Sequence, residues 1–506
     1  MSQQMSRRTF LGGGALAGLS ALGLAACGGG SDAPASDQPA IGDSIVMIST
    51  VQNDNFCPFA SVGSDKPVQH ALFDNLFMFD ADGNVVPMLV EGVEEDGLVK
   101  KLKLREDAVF TSGDPLKASD VEFSFSKLLE DPSGGPFVQT YLTSVKATGD
   151  YTLEVTAANA AVLWKNFLAE SVYVVEEASF DPEKDYVDEA PVGSGAYTLD
   201  SVDAARTVTL VANEAYWGGA PEFKTVQVKA PVDGATSLVA LQTGEADYVT
   251  GLDADNVKVA REDDALSVTD FQSWSMQLVG IYVGDEKFRE AVFHAINRQN
   301  IIDICNDGVG EPATDMLSKR TMGEYAGIVD FVGYDLDLAK QCIAESQTDL
   351  SQTFELLTFD SPSVAQCIQE DLKQIGVNVQ ISQVDANTFF SALTAGTLQL
   401  FIVGLGTDLQ TCDAFLKLLF GPASIYKYPI SDEFKAQVDV LSQKIDAGED
   451  LTDSIRTICE MMAVECPIVP LYDIDYHDVY RTGIGNVLPS SSATYVYYLG
   501  DLTREG

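Results

Sequence analysis

The spacing of apolar residues changes part-way along the chain, and this change constrains the fold more than any other feature. In the first half, short stretches alternate apolar and polar residues, as in "LVKKLKL" (residues 98–104), "YTLEVTAA" (151–158), "TVTLVAN" and "TVQVKAP". Alternation with a period of two residues is typical of half-buried β-strands. The first half is therefore predicted to be rich in short strands of mixed arrangement.

From about residue 288 onward the apolar residues follow helical spacing instead. One stripe occupies positions i, i+3, i+4, i+7 and i+8, at Phe288, Ala291, Val292, Ala295 and Ile296. A second stripe in residues 364–375 ends before a glycine and is followed at once by the alternating "VNVQI". Such a pattern is typical of an amphipathic helix leading into a strand. The chain is therefore predicted to be an α/β protein with two lobes that differ in secondary structure, the first rich in strands and the second rich in helices.

The N-terminus has the pattern of an export signal. Arg7 and Arg8 precede an apolar run in residues 11–26, which is shorter than the roughly 20 residues that span a bilayer. The paired arginines are similar to a twin-arginine signal, and "LAAC" is similar to the box at which bacterial lipoproteins are lipidated and cleaved. Residues 1–26 are therefore predicted to be a signal peptide whose removal leaves a lipid on Cys27. The alternative is an ordinary secreted protein in which this cysteine is incidental.

The residues after the predicted lipidation site indicate a tether and an extracytoplasmic body. Residues 27–42 are small and polar and contain proline, which is typical of a flexible linker. No later stretch has the length of a transmembrane run. The lipid is therefore predicted to be the sole anchor, holding the protein on the outer face of the cell membrane. The formal charge of −45 is interpreted as a solvated surface that repels nucleic acid, so no nucleic-acid partner is expected.

The sequence lacks the motifs of the common enzyme classes. Its three histidines, His70, His294 and His477, form no H-E-x-x-H and no helical pair for zinc. Ser194 in "VGSGAY" lacks the complete G-x-S-x-G elbow, and there is no phosphate-binding G-x-x-x-x-G-K-[ST] loop. The chain is therefore predicted not to be an enzyme and to need no cofactor or metal.

The stretch "DADGNVVPMLVE" partly matches a calcium-binding loop. Asp80, Asp82, Asn84 and Glu91 occupy positions 1, 3, 5 and 12 of such a loop. Position 6, which should be glycine, is valine, and a proline interrupts the loop. The stretch is therefore predicted to be a turn between strands, made by its Asp-Gly pair.

The cysteines left after Cys27 are odd in number, so at least one should be a free thiol. They are Cys57, Cys305, Cys342, Cys367, Cys412, Cys459 and Cys466. They form no C-x-x-C pair and no zinc-like spacing. Two of them, at positions 342 and 367, lie in helical patterns, where a buried thiol packs as a small apolar side chain. Pairing of some of them stays open in an exported protein.

Longer stretches repeat, in order, the segments of one protein family. "LFDNLFMFDADGNVVPMLVEG" and "LVKKLKLREDAVFTSGDPLKASDVEFSFSKLL" form an opening block, followed by "PVGSGAYTL", "NEAYWGGAPEF" and "ATSLVALQTGEADY". "FREAVFHAINRQNII", "YDLDLAKQCIAES" and "CIQEDLKQIGVNVQI" continue the match through the second half. From about residue 45 to the C-terminus, the chain resembles the peptide- and nickel-type extracellular solute-binding proteins of bacterial ABC importers.

This resemblance implies a large two-lobed fold of the periplasmic-binding-protein type, with mixed sheets and a ligand cleft between the lobes. Lobe I, with an extra subdomain, is expected to span residues 43–270 and to be completed by residues 475–506, whereas lobe II spans residues 271–474. The resemblance further implies a monomer that captures a small solute, a short peptide first of all, and delivers it by hinge closure to a membrane permease. A metal chelate, a sugar or another small solute is the alternative, and an exported enzyme is a remote one.

The resemblance also implies an anchor for the ligand. In peptide-binding members, a segment of the type G-W-x-A-D-Y-x-D-P carries an aspartate that pairs with the ligand's ammonium group. Here the segment reads "GLGTDLQTCDAFL" (residues 404–416), which places Asp408 at that position. Leu405 stands where the family has tryptophan, and Thr411 and Cys412 replace the D-P pair, so the ligand class is left open. Alternatively, the aspartate caps the following helix.

The stretch "FQSWSMQLVG" is expected to form the crossover into lobe II, where the family often places aromatic residues against the ligand. Trp274 and Met276 are the candidates for ligand contact, with ordinary hinge packing as the alternative. Tyr216 and Trp217 match a framework motif of the family and are assigned to structure.

Overall fold

The computed structural model describes most of the chain from Ala40 to Glu505. The described residues are 40–49, 55–59, 66–80, 84–130, 135–158, 164–230, 232–306, 308–359, 361–406, 411–422, 424–487 and 498–505. The predicted signal peptide, Cys27 and Asp408 lie outside them, as does most of the predicted tether.

The helices of the described residues are numbered in chain order. They are α1 (Lys66–Leu72), α2 (Ala118–Glu130), α3 (Gly135–Tyr141), α4 (Trp164–Glu170), α5 (Gly234–Thr243), α6 (Ala254–Arg261), α7 (Glu286–Ala295), α8 (Arg298–Cys305), α9 (Lys319–Met322), α10 (Leu336–Glu345), α11 (Pro362–Lys373), α12 (Ala386–Ala395), α13 (Cys412–Phe420), α14 (Asp432–Ala447) and α15 (Thr452–Glu465). Short 3₁₀ turns occur at Glu177–Ser179, Gly323–Tyr325 and Leu499–Asp501.

The strands are numbered in the same way. They are β1 (Ser44–Ile48), β2 (Phe77–Phe79), β3 (Val85–Pro87), β4 (Val90–Asp96), β5 (Val99–Leu104), β6 (Leu142–Gly149), β7 (Thr152–Ala157), β8 (Tyr197–Val202), β9 (Val208–Ala212), β10 (Thr225–Lys229), β11 (Tyr248–Val249), β12 (Leu266–Ile281), β13 (Thr353–Thr358), β14 (Asn378–Gln383), β15 (Leu400–Leu405), β16 (Ile468–Arg481), β17 (Ile484–Gly485) and β18 (Thr503–Arg504).

The elements predicted from apolar spacing are confirmed. The alternating stretches form β5, β7, β9 and β10, and the helical stripes form α7 and α11. α11 is followed by Gly376, whose φ of 80° is accessible to glycine at little cost, and the chain then enters β14. Local periodicity therefore identified these elements correctly.

Aspartate N-caps account for part of the chain's acidity. Their side chains accept hydrogen bonds from backbone N–H groups in the first turns of α5, α6, α7, α10 and α12, at Asp233, Asp253, Asp285, Asp335 and Asp385. Such caps satisfy donors that a helix leaves unpaired, and they place negative charge at the positive end of the helix dipole. These carboxylates therefore help to start helices.

A ten-stranded mixed sheet forms the frame of the molecule. Its strands lie in the order β14-β13-β15-β12-β16-β11-β1-β10-β9-β8. The pairs β14–β13, β13–β15, β11–β1 and β1–β10 are parallel, and the other neighbours are antiparallel. A separate antiparallel sheet has the order β4-β5-β7-β6, and the pairs β2–β3 and β17–β18 stand apart. The predicted mixed α/β fold is therefore observed.

The apolar cores divide along the chain. One core draws on buried residues between positions 276 and 472. A second draws on residues 76–174, which include the four-stranded sheet. A third combines residues 45–248 with Ile484, Leu499 and Leu502. The C-terminal segment therefore packs with the first half of the chain.

The described residues of the stretch that partly matches a calcium-binding loop belong to two paired strands and their ends. β2 and β3 pair antiparallel, with Phe79 opposite Val85. The backbone N–H of Asp80 donates to the carbonyl of Asn84 (2.9 Å), and the carboxylate of Asp80 accepts from the N–H of Asn84 (2.8 Å). The chain therefore reverses between β2 and β3, whereas residues 81–83, with the Asp-Gly pair predicted to make the turn, lie outside the described residues.

Asp74 is the centre of a buried framework in the first half. Its carboxylate accepts hydrogen bonds from the Ser194 hydroxyl (2.9 Å), the Tyr216 hydroxyl (2.9 Å) and the Trp217 indole N–H (2.6 Å). Burial raises the pKa of Asp74 to about 6, although the three donors lower it in part. The guanidinium of Arg105 lies over the indole ring, 3.6 Å from its centroid. Tyr216 and Trp217 thus have the structural role assigned to them, and Ser194 is a buried donor.

The glycines beside Ser194 allow a close backbone approach. A Cβ atom at Gly193 would lie 2.1 Å from the carbonyl oxygen of Leu72, and one at Gly195 would lie 2.4 Å from that of Ala71. No side chain fits at such distances, so the "GSG" stretch is explained by packing against the end of α1.

Candidate functional site

Two long strands, β12 and β16, connect the two parts of the ten-stranded sheet. β12 has 16 residues and β16 has 14. Residues 266–272 of β12 pair with residues 475–481 of β16, and this part of β16 also pairs with β11. Residues 276–280 of β12 pair with residues 468–473 of β16 on one side and with β15 on the other. The two strands therefore cross from one part of the frame to the other together.

Their pairing is interrupted half-way. Gln272 pairs with Asp475, but the next pair joins Met276 to Asp473, so β12 advances by more residues than β16. Extra residues on one strand disrupt the ladder and bend it. We call residues 272–276 of β12 and 473–475 of β16 the crossover junction.

Two of the predicted site residues meet at this junction. Met276 pairs with Leu405, the last residue of β15. Met276 is 1% exposed and Leu405 is 6% exposed, and both belong to the core of residues 276–472. Their packing role is thus observed, and their contact with a ligand stays a prediction.

The chain leaves β15 at the junction through a glycine-containing stretch. A Cβ at Gly406 would lie 1.8 Å from the Ser275 hydroxyl oxygen and 2.9 Å from its Cβ, and one at Gly404 would lie 3.1 Å from Ile474. The glycines therefore let the start of the predicted ligand segment pass against both crossover strands. Asp408, four residues beyond Gly404, lies outside the described residues. Neither its ligand role nor its capping role is tested.

Trp274, the third described candidate, carries a cation on its ring. The guanidinium of Arg320 in α9 lies 4.8 Å from the ring centroid. The carbonyl of Trp274 accepts from the hydroxyls of Ser318 and Thr321, both at 3.1 Å, which holds the first turn of α9 against β12. Trp274 is half-buried, so part of its side chain is packed and part is exposed to solvent.

Arg320 brings positive charge to the junction. Burial lowers the pKa of its guanidinium, and the negative charge of Glu170, at the end of α4, acts in the opposite direction. Glu170 belongs to the first half of the chain and is 1% exposed. An electrostatic interaction therefore links the two halves beside Trp274.

A cavity of about 240 Å³ lies beside Arg320 at the crossover junction. Charged side chains line it, namely Glu311, Lys319, Arg320, Asp473 and Asp475. Burial raises the pKa of Asp473 to about 6, while a hydrogen bond from the backbone N–H of Lys319 (3.0 Å) lowers it in part. A cavity with charges of both signs suits a ligand that also carries both.

The sequence contains signals for the cavity residues, although they match no motif of an enzyme or metal site. Lys319 and Arg320 are an adjacent basic pair in a strongly acidic chain, and Asp473 and Asp475 follow the five buried residues that begin "IVPLYDIDYHDVYR" in β16. Polar residues within a buried strand indicate a special environment. The contact of Arg320 with Trp274 could not be read from either stretch.

In the described part of the chain, no group of three or more His, Cys, Asp or Glu side chains is arranged to hold a metal ion. None of the helices in this part is long and apolar enough to cross a bilayer.

A comparison with known families decides the kind of protein. The family described as "Bacterial extracellular solute-binding proteins, family 5 Middle" matches residues 84–427, which is more than half of the chain. The chain belongs to this family. Among family 5 relatives, the oligopeptide-binding protein AppA of Bacillus subtilis is 26% identical over 397 residues, covering 70% of this chain and 71% of AppA.

Solved structures show that the chain has the two-lobed fold expected from the resemblance. NikA from Brucella suis in complex with Fe(III)-EDTA gives a TM-score of 0.80 at 18% identity, covering 91% of this chain and 100% of NikA. AppA with a nonapeptide gives 0.75 at 20% identity, covering 92% and 99%. The ABC transporter-associated periplasmic binding protein DppA from Helicobacter pylori, in complex with the peptide STSA, gives 0.77 at 20% identity, covering 92% and 98%. The predicted fold class is confirmed.

Proposed function

We propose that this family 5 protein captures a short peptide outside the cytoplasm and delivers it to the permease of an ABC importer. The name of AppA and the peptides bound to AppA and DppA support a peptide ligand. The charged cavity at the crossover junction supports it as well, because a free peptide carries an ammonium and a carboxylate. The protein acts as a monomer by binding and release, with no covalent chemistry.

The ligand is held between lobes that meet at the crossover junction. Lobe I comprises residues 43–270 and 475–506, and lobe II comprises residues 271–474. The interrupted pairing of β12 with β16 supports this division, since a ladder with missing hydrogen bonds bends more easily than a regular one. Closure about this point brings both lobes onto the ligand, and the permease recognises the closed state.

Asp408 binds the ammonium group of the peptide. The observation that carries this proposal is the pairing of Leu405 with Met276, because it places the start of the segment that contains Asp408 at the crossover junction. Arg320 contributes the opposite charge there, suited to a carboxylate of the ligand. Trp274 supplies an aromatic surface beside it.

Calorimetric titration tests the proposal. The peptide that co-purifies with the protein is identified by mass spectrometry and synthesised with a free and an acetylated amino terminus. Removing one partner of a desolvated charge pair costs about 2 to 5 kcal/mol, so Asp408→Ala should weaken the free-amine peptide by about 30-fold or more. The acetylated peptide should already bind weakly to the wild type. Small-angle scattering should show a smaller radius of gyration for the wild type with saturating free-amine peptide than for the wild type without peptide.

A matched control is Asp432→Ala, since Asp432 is also an aspartate in an acidic stretch but its side chain is 99% exposed in a helix first turn. It should bind the peptide as the wild type does. If Asp408→Ala bound the free-amine peptide within about twofold of the wild type, the ammonium anchor would be wrong. Recovery of a sugar or a metal chelate in place of a peptide would contradict the ligand class, and hydrolysis of the ligand would contradict the binding role.

Lipid on Cys27 anchors the protein to the membrane after a twin-arginine type export signal. The support is the "LAAC" box at the end of the apolar run. In membrane fractionation of the natural host, Cys27→Ala should move the protein from the membrane to the soluble fraction. An unlipidated Cys27 in the membrane-bound wild type, found by mass spectrometry, would rule out this anchor.

A further inference from the structure

Two of the seven body thiols lie against each other. The sulfur atoms of Cys305 and Cys367 are 3.8 Å apart, although 62 positions separate the residues in the chain. Cys305 is the last residue of α8, and Cys367 lies near the middle of α11. A disulfide needs sulfurs at about 2.05 Å. The two sulfur atoms must therefore approach by about 1.7 Å to form the bond.

A second contact fixes the same two helices. The backbone N–H of Asn297, which caps α8, donates to the carboxylate of Asp371 in α11 (2.9 Å). Asp371 follows Cys367 by one helical turn, so both side chains project from the same side of α11. The thiols are therefore held near each other by packing at both ends of α8.

Other thiols of the described residues have different neighbours. Cys412 donates to the sulfur of Met322 (3.6 Å), and Cys466 donates to the carbonyl of Ala463 (3.3 Å). Cys305 also differs in exposure, because it is half-buried whereas the other described cysteines are buried. It is thus the thiol of the pair that an oxidant can reach.

We propose that Cys305 and Cys367 form a disulfide that joins α8 to α11 when the protein meets an oxidising dithiol–disulfide exchange partner outside the cytoplasm. The inference uses the extracellular location of the family and does not depend on the identity of the ligand. The odd cysteine count is no obstacle, because the remaining thiols stay reduced.

The reaction balances as two thiol–disulfide exchanges. The Cys305 thiolate attacks a disulfide RSSR, which forms a Cys305–SR bond and releases one RS⁻. The Cys367 thiolate then attacks the Cys305 sulfur, which forms the Cys305–Cys367 bond and releases the second RS⁻. Both leaving groups take up the protons that the two thiols lost, so the protein loses two hydrogens and RSSR becomes two RSH.

Burial makes the exchange slow at neutral pH. It raises the pKa of the Cys305 thiol to about 12 and also raises that of Cys367. Because the thiolate is the nucleophile, and its fraction grows about tenfold per pH unit below the pKa, oxidation should accelerate as the pH rises. Once formed, the bond closes a loop of more than 60 residues, which restricts the unfolded chain and stabilises the second half of the protein.

The test treats the full-length chain with oxidised glutathione at pH 8.5, blocks the remaining thiols with iodoacetamide and maps the cysteines by peptide mass spectrometry. The expected result is a linked pair of peptides containing Cys305 and Cys367, with a melting temperature about 5 °C higher that returns to its original value on reduction. Cys57→Ser, a matched change in the first half of the chain, should still give the linked peptides and the higher melting temperature. Cys305→Ser and Cys367→Ser should each give neither the linked peptides nor the rise in melting temperature.

The wild-type map alone is decisive if either variant fails to fold. The proposal is overturned if Cys305 and Cys367 are both alkylated after the treatment. It is overturned equally if Cys305 is linked to a different cysteine or remains a mixed disulfide with glutathione.

Discussion

Asp74 and Asp473 are two acids with similar pKa shifts and different surroundings. Burial raises the pKa of each to about 6. Asp74 is 1% exposed, accepts three side-chain hydrogen bonds and lies in the framework of the first half. Asp473 is half-buried, accepts from one backbone N–H and borders the charged cavity at the crossover junction. The raised pKa therefore reports burial in both cases, and the surroundings distinguish an acid that holds the framework together from one that lines a cavity.

The largest effect is expected at the framework. Asp74→Ala removes a buried carboxylate that accepts from three side-chain donors, and such a loss should lower the free energy of unfolding by about 3 to 5 kcal/mol. Urea unfolding followed by circular dichroism measures it. Asp114→Ala, at an exposed aspartate, is the control and should change the free energy of unfolding by less than about 0.5 kcal/mol. A loss below about 1 kcal/mol for Asp74→Ala would mean that the framework is not structural.

A smaller effect, on ligand affinity, is expected at the junction. In Gly406→Ala the new Cβ would lie 1.8 Å from the Ser275 hydroxyl oxygen, so the segment leading to Asp408 must shift. Overpacking of this kind costs about 1 to 3 kcal/mol, and we expect peptide affinity to fall about tenfold in calorimetric titration. The control is Gly284→Ala, since a Cβ there would meet no atom within 4 Å.

A second substitution sharpens this experiment. Ser275→Gly removes the atoms that the new Cβ would strike, so the double variant Gly406→Ala/Ser275→Gly should recover most of the affinity. Additive losses in the double variant would show that the close approach of the two residues does not position the ligand segment.

The smallest effect concerns pH. The folded pKa of Asp473, about 6, lies above its ordinary value of 3.8, so the folded state binds this proton more tightly than the unfolded state. Asp473 therefore contributes stability at low pH that is lost as the pH rises from about 4 to about 6. Asp473→Asn cannot titrate, so between pH 4 and pH 7 its unfolding free energy should fall by about 1 kcal/mol less than that of the wild type. Urea titrations across this range measure it, and parallel pH profiles for the two proteins would contradict the burial of the acid.

Much of the fold was predictable from the sequence. The periods of two and of 3.6 residues located β5, β7, α7 and α11, because each period records which side of an element faces apolar neighbours. The ordered family segments indicated the two-lobed fold. The periods are local features, so neighbouring residues determine them, whereas the two-lobed fold was indicated by the order of segments along most of the chain.

The sites depended on contacts that no local pattern contains. The sequence by itself determined that Trp274, Met276 and Leu405 were candidates, but only the sheet order placed Met276 beside Leu405 and Asp473, and only the docking of α9 placed Arg320 over Trp274. Likewise, spacing left the pairing of the cysteines open, and the packing of α8 on α11 brought Cys305 to Cys367. The physical reason is that periodicity shows which face of an element is buried, whereas the partner of that face is chosen by the packing of the whole chain.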